Sequence, residues 1–575
     1  MPRAAVRQQT AKLEGDGHHA HADDETRLRQ LGYKQELRRE LNLLRNFAVS
    51  FGLLSMLTGL GGFYYYGFTY GGPVMASWGW VLIVCMTLTI ALSMAEICSS
   101  LPTTGGVYYW AGVLGGKQGP LWSWVVGWLN LLGQVGITAG VEWTVVRYLV
   151  YFVNMFKAPD AEPFALTKVQ FWLMYSAFIL VHGMFNAVSV RLLGVLSLLS
   201  VVFHVVGTLV IVIGLPIIAV THQKASWVFG HFENYGNNPE YMGDATTGVS
   251  NSFYSFLLGL LLSQWAMVGY DSSAHIAEET KNAAVAGPVG LVTAIIGSFV
   301  CGWAFLISLT FCIQTPADGI AGTQQIFMSV FQGRYGSYEG AAIFQAILFI
   351  ASNFCGIFCV TSNSRMLYAF ARDRGIFGWR WWKEVNGRTG TPINSIIAMC
   401  LASIIIGITM LGSDVAFIAI SSIGIIGLEA SYILPILLRL TVARKWFKKG
   451  PFHLGAFSLP LGWIAVVWGC FISVVLILPT VYPVTNTNFN YAVVMLGGTI
   501  VLSMIAWFIS ARKWFKGPVR NVDMGNKTET LAEAAMRGEL DETDSAFGNE
   551  SGSKAGDTDQ AELPADLEPK QFVVA

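Results

Sequence analysis

The chain has 575 residues, of which 53% are hydrophobic and only 13% charged. A soluble globular protein carries about 25% charged residues, and half that share cannot cover the water-facing surface of a chain this long. Lys+Arg and Asp+Glu each number 36, so net charge points to no partner. The composition excludes a large soluble enzyme, a disordered chain and a collagen-like repeat, and leaves an integral membrane protein.

In chain order, residues 1–45 are polar and read as a disordered tail; His18, His19 and His21 within it read as a solvated cluster rather than a metal site. No cleavable signal peptide is expected, because the first apolar stretch is too long and lies too far in. A spanning helix needs about 20 mostly apolar residues. That ruler predicts twelve spans, the first six at Asn46–Tyr70, Val74–Ser99, Leu121–Tyr151, Lys168–Val188, Leu193–Val220 and Val249–His275. The second six are Pro288–Ile313, Ala341–Arg365, Pro392–Leu411, Val415–Arg439, Leu461–Val481 and Tyr491–Ala511. Residues 512–575 read as a disordered tail, acidic and rich in Ser, Gly and Thr from residue 521 on.

With twelve spans both tails share a side. That side holds Arg372, Arg374, Arg380, Lys383, Arg388, Arg444, Lys445, Lys448, Lys449, Arg512, Lys513 and Lys516, against Lys157, Lys168, Lys224 and Arg334 opposite. By the positive-inside rule the tails are cytoplasmic. The sequons at Asn526 and Asn549 then lie on the cytoplasmic side and stay unused. All eight cysteines lie in or at the ends of apolar segments and read as small buried hydrophobes. No P-loop, metal cluster, cofactor motif or nucleophile–base pair is visible, so no enzyme, no cofactor and no nucleic-acid partner is expected.

Unpaired backbone polar groups are not tolerated in lipid, so helix-breaking residues at mid-span mark a cavity or a close contact. Two stretches qualify: Leu57-Thr58-Gly59-Leu60-Gly61-Gly62 in span 1, and Gln264 through Asp271 in span 6. They lie five spans apart, in helices running oppositely, as expected of an inverted repeat around a midplane site. The glycines of span 1 have close helix packing as their alternative reading. If the span 1 stretch is unwound, the amides of Gly59, Gly61 and Gly62, with the Thr58 hydroxyl, attract a carboxylate. The carbonyls of Trp265, Ala266 and Val268 suit an ammonium. Together they suggest a zwitterionic ligand.

Three further stretches carry a resemblance. They are Ser93-Met94-Ala95-Glu96-Ile97-Cys98 with Pro102 to Trp110; Gly269-Tyr270-Asp271 through His275 to Glu278-Glu279-Thr280-Lys281-Asn282; and Ser364-Arg365 with Tyr368 to Asp373 and Pro392. Span 3 adds Gly127-Trp128, Asn130, Gly133-Gln134 and Thr138-Ala139. The sequence resembles the amino acid–polyamine–organocation superfamily, and within it the amino acid/choline transporter branch of fungal GABA permeases and plant bidirectional amino acid transporters. The resemblance implies an all-α fold of twelve helices of leucine-transporter type. Its repeats would be 46–220 and 249–439, with the last two spans, 461–511, peripheral. It implies a secondary transporter of amino acids or GABA, with H+ the expected coupling ion and the plasma membrane the expected host, an organelle membrane being the alternative. One departure is Glu429, where relatives usually carry an aromatic residue.

Several residues stay open between roles. Asp271 either caps the second half of span 6, the role its type favours, or faces substrate. His204, alone in an apolar run, is a proton carrier or a neutral interhelical bond. By family analogy it faces the break in span 1. Glu142 pairs with Arg147 at an outer gate or lies at the interface. Glu429 binds a cation, relays protons or bonds to span 1. Gln134 and Asn353 line the cavity or join helices, and Tyr270 and Trp265 are candidate aromatic contacts. The charged groups Glu96, Glu278, Glu279, Lys281, Arg365, Arg372 and Asp373 read as salt bridges at the gate or headgroup level. The rival functions are a choline or polyamine carrier of the same fold, with Glu429 as counter-charge, and a nutrient sensor that does not transport.

Overall fold

The computed structural model describes residues 24–157, 161–412, 414–486 and 488–518. His18, His19, His21 and the tail beyond residue 518, with both sequons, lie outside them. Every named element among the described residues is helical. Among the described residues eleven helices are long and apolar enough to cross a membrane, from Leu43–Gly71 to Ala492–Trp514. The twelfth expected span, the sixth in order, falls short of that length because it is broken into Ser252–Gly259, Leu261–Ala266 and Ser272–His275. Span 1 is broken as well, into Leu43–Leu54 and Met56–Gly71.

The spans divide by burial. Ser422–Leu440 of span 10 is 83% buried over its apolar window, Leu43–Gly71 78%, and Gly116–Asn154 of span 3 72%; span 12 is only 17% buried. The first set forms the interior, and span 12 faces outward along most of its length. Span 3 packs mainly on spans 10 and 8. Small residues set that approach. A Cβ on Gly136 would stand 2.7 Å from the Gly424 nitrogen, and one on Gly424 2.6 Å from the Ile137 nitrogen, so the backbones touch.

The N-terminal tail departs from expectation. Residues 24–30 are helical, and Leu28, Leu31, Tyr33, Leu37 and Leu41 are buried. This segment straps one face of the helix bundle. Arg27 donates to the Ser100 carbonyl (3.2 Å) and Tyr109 donates to that of Leu31 (3.0 Å). Gln35 donates to the Glu278 carbonyl (2.8 Å) and Arg39 to that of Thr280 (2.7 Å). Leu41 pairs with Thr280 in a parallel bridge. The Tyr33 hydroxyl donates to both Asp373 oxygens (2.9 and 2.8 Å), and its ring covers the Arg372 guanidinium at 3.8 Å. Burial and the Asp373 carboxylate push the Tyr33 phenol well above its ordinary pKa, so it remains the donor. Polar composition concealed five spaced apolar residues that bury themselves on this face, called the tail face below.

Candidate functional site

The two breaks meet around a cavity of about 60 Å³, several times the roughly 10–15 Å³ that one water needs. Thr58, Gly59, Trp265, Ala266 and Val268 line it, as the sequence suggested. Leu53, Leu54 and Phe63 of span 1, Gly136, Ile137, Gly140, Val141 and Thr144 of span 3, and Cys355 of span 8 complete it. Of these only Gly136 and Gly140 are of a helix-breaking type, and both lie inside the unbroken helix of span 3, so no local interruption singles the set out.

Span 6 breaks where expected. The helix ends at Ala266 and resumes at Ser272. Gly269 turns the chain at φ +90°, and a Cβ there would lie 2.3 Å from Leu53 Cδ2, so only glycine fits. Among the described residues no backbone donor closes on the carbonyls of Trp265, Ala266 or Val268. Three acceptors are thus left on residues that line the cavity.

Span 1 breaks four residues earlier than its glycines indicated. Ser55 takes φ +30°. Thr58 and Gly59 already donate to the Ser55 carbonyl, at 2.8 and 3.1 Å, and Gly61 and Gly62 lie within the resumed helix. Their amides are spent. The first amides of that helix, those of Met56 and Leu57, are the ones helix geometry leaves over. The glycines provide close approach instead: a Cβ on Gly59 would meet Ala266 Cα at 2.9 Å, and one on Gly61 the Tyr148 hydroxyl at 2.7 Å. Gly61 and Gly62 line a separate recess with Tyr65, Arg147 and Gln345. Tyr148 also donates to the Thr58 carbonyl (2.9 Å), steadying the second half of span 1.

His204 stands directly behind the break. Its Nδ1 lies 2.8 Å from the Ser200 carbonyl, an acceptor only, so Nδ1 carries hydrogen. Nε2 therefore faces the Ser55 hydroxyl (2.8 Å) with its exchangeable position, and Ser55 Oγ lies 2.6 Å from Thr58 Oγ1 on the cavity wall. A hydrogen-bonded chain runs from a buried imidazole to the cavity.

The other singled-out residues fall into place nearby. Asp271 occupies the N-cap position of the second half of span 6 but makes no side-chain cap bond. Its carboxylate instead accepts from Asn130 (3.1 Å), Gln134 (3.4 Å), Tyr432 (2.8 Å) and His275 Nε2 (3.0 Å). Donors from spans 3, 6 and 10 outcompete the local amide. His275 Nδ1 faces the Thr104 carbonyl at 3.1 Å. Both ring nitrogens thus face acceptors, and the ring bridges Asp271 to the loop between spans 2 and 3. Toward the tail face, Arg372 grips Glu278 through two bonds of 2.8 and 2.9 Å, and Arg365 pairs with Glu279 at 3.0 Å. Glu96 pairs with Arg439 at 2.9 Å.

Glu142 does not pair with Arg147. Five residues on a helix turn the two about 140° apart. Glu142 lies 2.7 Å from His182 Nδ1, while Arg147 bonds the Tyr151 hydroxyl and covers the Trp143 ring. His182 Nε2 faces Asn353 Oδ1 at 3.3 Å, which makes Asn353 an interhelical partner. Gln134, too, is spent on Asp271 and does not line the cavity. Glu429 is buried and accepts from Gln264 (2.8 Å), joining span 10 to span 6 without reaching span 1 or the cavity lining. Tyr270 packs on Tyr432, with ring centroids 4.9 Å apart, away from the cavity. The aromatic partner of Trp265 in the cavity wall is Phe63, stacked on it at 4.3 Å.

The chain resembles known proteins along most of its length. Residues 41–500 match the amino acid permease family. The chain is 40% identical to the amino-acid permease BAT1 homolog of Oryza sativa subsp. japonica, over 89% of this chain and 98% of that protein. It is 37% identical to amino-acid permease BAT1 of Arabidopsis thaliana, over 87% and 96%. It is 27% identical to the GABA-specific permease of Saccharomyces cerevisiae, over 88% of each. Coverage of this extent takes in both broken spans and the cavity between them, and the chain belongs to the amino acid permease family of membrane transporters.

Proposed function

We propose that the protein carries amino acids or GABA across the plasma membrane by alternating access, coupled to H+, with both tails cytoplasmic. In this reading spans 1–5 and 6–10 form two inverted repeats whose broken helices, 1 and 6, grip the substrate from opposite sides. The carboxylate sits at the Met56 and Leu57 amides and the Thr58 hydroxyl. The ammonium sits on the open carbonyls of Trp265, Ala266 and Val268. Phe63 on Trp265 forms the gate away from the tail face. The Asp271–His275–Thr104 bridge and the Arg372–Glu278 pair form the gate toward it.

The observation that carries proton coupling is the His204–Ser55–Thr58 chain. A proton on His204 Nε2 reverses the direction of the Ser55 and Thr58 hydroxyl bonds, so protonation and carboxylate binding are felt at one place. A choline or polyamine reading is less well supported, because Glu429 lies outside the cavity lining and Phe63 and Trp265 stack on each other, leaving no cage between them.

The test is uptake of labelled GABA and neutral amino acids into liposomes under an inward proton gradient, with and without sodium. Sodium-independent, gradient-driven uptake is expected. His204→Gln should abolish the response to the gradient while leaving exchange of internal for external substrate. Equal gradient response in the variant would remove His204 from the coupling path. Uptake of choline alone would overturn the substrate class.

A further inference from the structure

A second cavity, of about 790 Å³, opens on the tail face between the cytoplasmic end of span 3, the loop after span 8 and the end of span 12. Its size is that of a ligand pocket. Trp124, Trp128, Ile376, Phe377 and Trp514 give it apolar walls, and Arg380 lies on its rim. We propose that this groove binds one anionic phospholipid of the leaflet on the tail face.

Charge is the first argument. Arg374, Arg380 and Lys383 all lie over the single indole of Trp379, at 5.1, 5.4 and 5.0 Å from its centroid. Arg512 and Lys513 end span 12 close by in sequence to Trp514. Among the described residues none of these five cations has an ion-pair partner. The acidic residues flanking the loop are committed elsewhere: Asp373 accepts from Tyr33 and Tyr108, and Glu384 from Asn394. Three like charges gathered on one ring with no anion among them call for one from outside.

The walls specify what carries that anion. From Ala506 to Trp514 the groove follows nine residues of span 12, about 12 Å of helix. A soluble phosphate has no use for such walls; an acyl chain fills them. Phe377 is 97% exposed and Trp381 69%. Aromatic side chains so placed beside cations are those that enter a membrane interface. The groove wall also contains a π-helical turn, Trp507–Ala511, a distortion frequent at functional sites.

The experiment is native mass spectrometry of the full-length protein released from mixed micelles of phosphatidylserine and phosphatidylcholine at equal concentration. One retained phosphatidylserine, in excess over phosphatidylcholine, is expected. Replacing Arg374, Arg380 and Lys383 by Gln should lower that preference by about fivefold per cation removed. Replacing the same three by the alternative cation (Arg374→Lys, Arg380→Lys, Lys383→Arg) should restore it, which separates charge from misfolding. Equal retention of the two lipids, or a preference unchanged by the Gln variant, overturns the proposal. So does displacement of the lipid by glycerophosphoserine, which has the headgroup and no chains. Displacement by a synthetic peptide of residues 528–550 would make the groove a seat for the protein's own acidic tail, and would overturn it equally.

Discussion

The two broken spans solve one problem in different ways. Span 6 gives up five residues, Met267 to Asp271, and turns at a glycine with φ +90°. Span 1 gives up one, Ser55, and resumes its helix at once. The wide break leaves carbonyls open; the narrow one leaves only first-turn amides and a hydroxyl. A wide break must be held from outside, and Asp271 does this by collecting four donors from three spans. A narrow break is held largely by its neighbours in the chain, with His204 on the Ser55 hydroxyl and Tyr148 on the Thr58 carbonyl as side-chain supports from other spans.

The largest effect expected is on the wide break. Asp271→Asn removes the charge opposite His275 in a buried site and should cost about 3–5 kcal/mol, read as a lowered unfolding temperature in detergent; an unchanged temperature would show that the break is not held by this hub. Gly269→Ala comes next. Its Cβ meets Leu53 and its φ is unfavourable, a strain of about 1–2 kcal/mol before the clash, and uptake should fall together with stability. On the narrow side the two should separate. Ser55→Gly relieves the φ of +30°, worth up to about 1 kcal/mol, yet cuts the chain from His204 to Thr58. The variant should be as stable as the parent while its uptake ignores the proton gradient; retained coupling would sink the role given to Ser55. Smallest is Phe63→Ala, which loses an aromatic pair worth about 0.5–1.5 kcal/mol and should raise KM about two- to tenfold with little change in unfolding.

The same contrast explains what the sequence discloses. The break in span 6 was legible because Gly269 and the polar residues Gln264 and Asp271 interrupt an apolar run. The break in span 1 was placed four residues late because glycines signal both unwinding and close packing, and here they pack on Ala266 and Tyr148. Ser55 carries no local mark that separates it from other membrane serines. The residue type of Asp271 favours a cap because a local amide is the nearest donor in sequence, whereas three of its four actual donors lie on other spans. For Glu142 the sequence offers the nearby cation Arg147 or the interface, but its partner, His182, is 40 residues on. Residue type and period reveal elements; partners across spans are set by packing that no single segment encodes. The strap at residues 24–41 was missed for a related reason, since a low apolar count hides five well-spaced anchors.

The strap also bears on how the tail face can open. Its anchors are distributed over the loop after span 2, the end of span 6 and the end of span 8. These are the pieces that must part if substrate is to leave on that side. One short chain segment thus ties three span ends together, and any separation of those ends has to break its bonds as well as those between the spans.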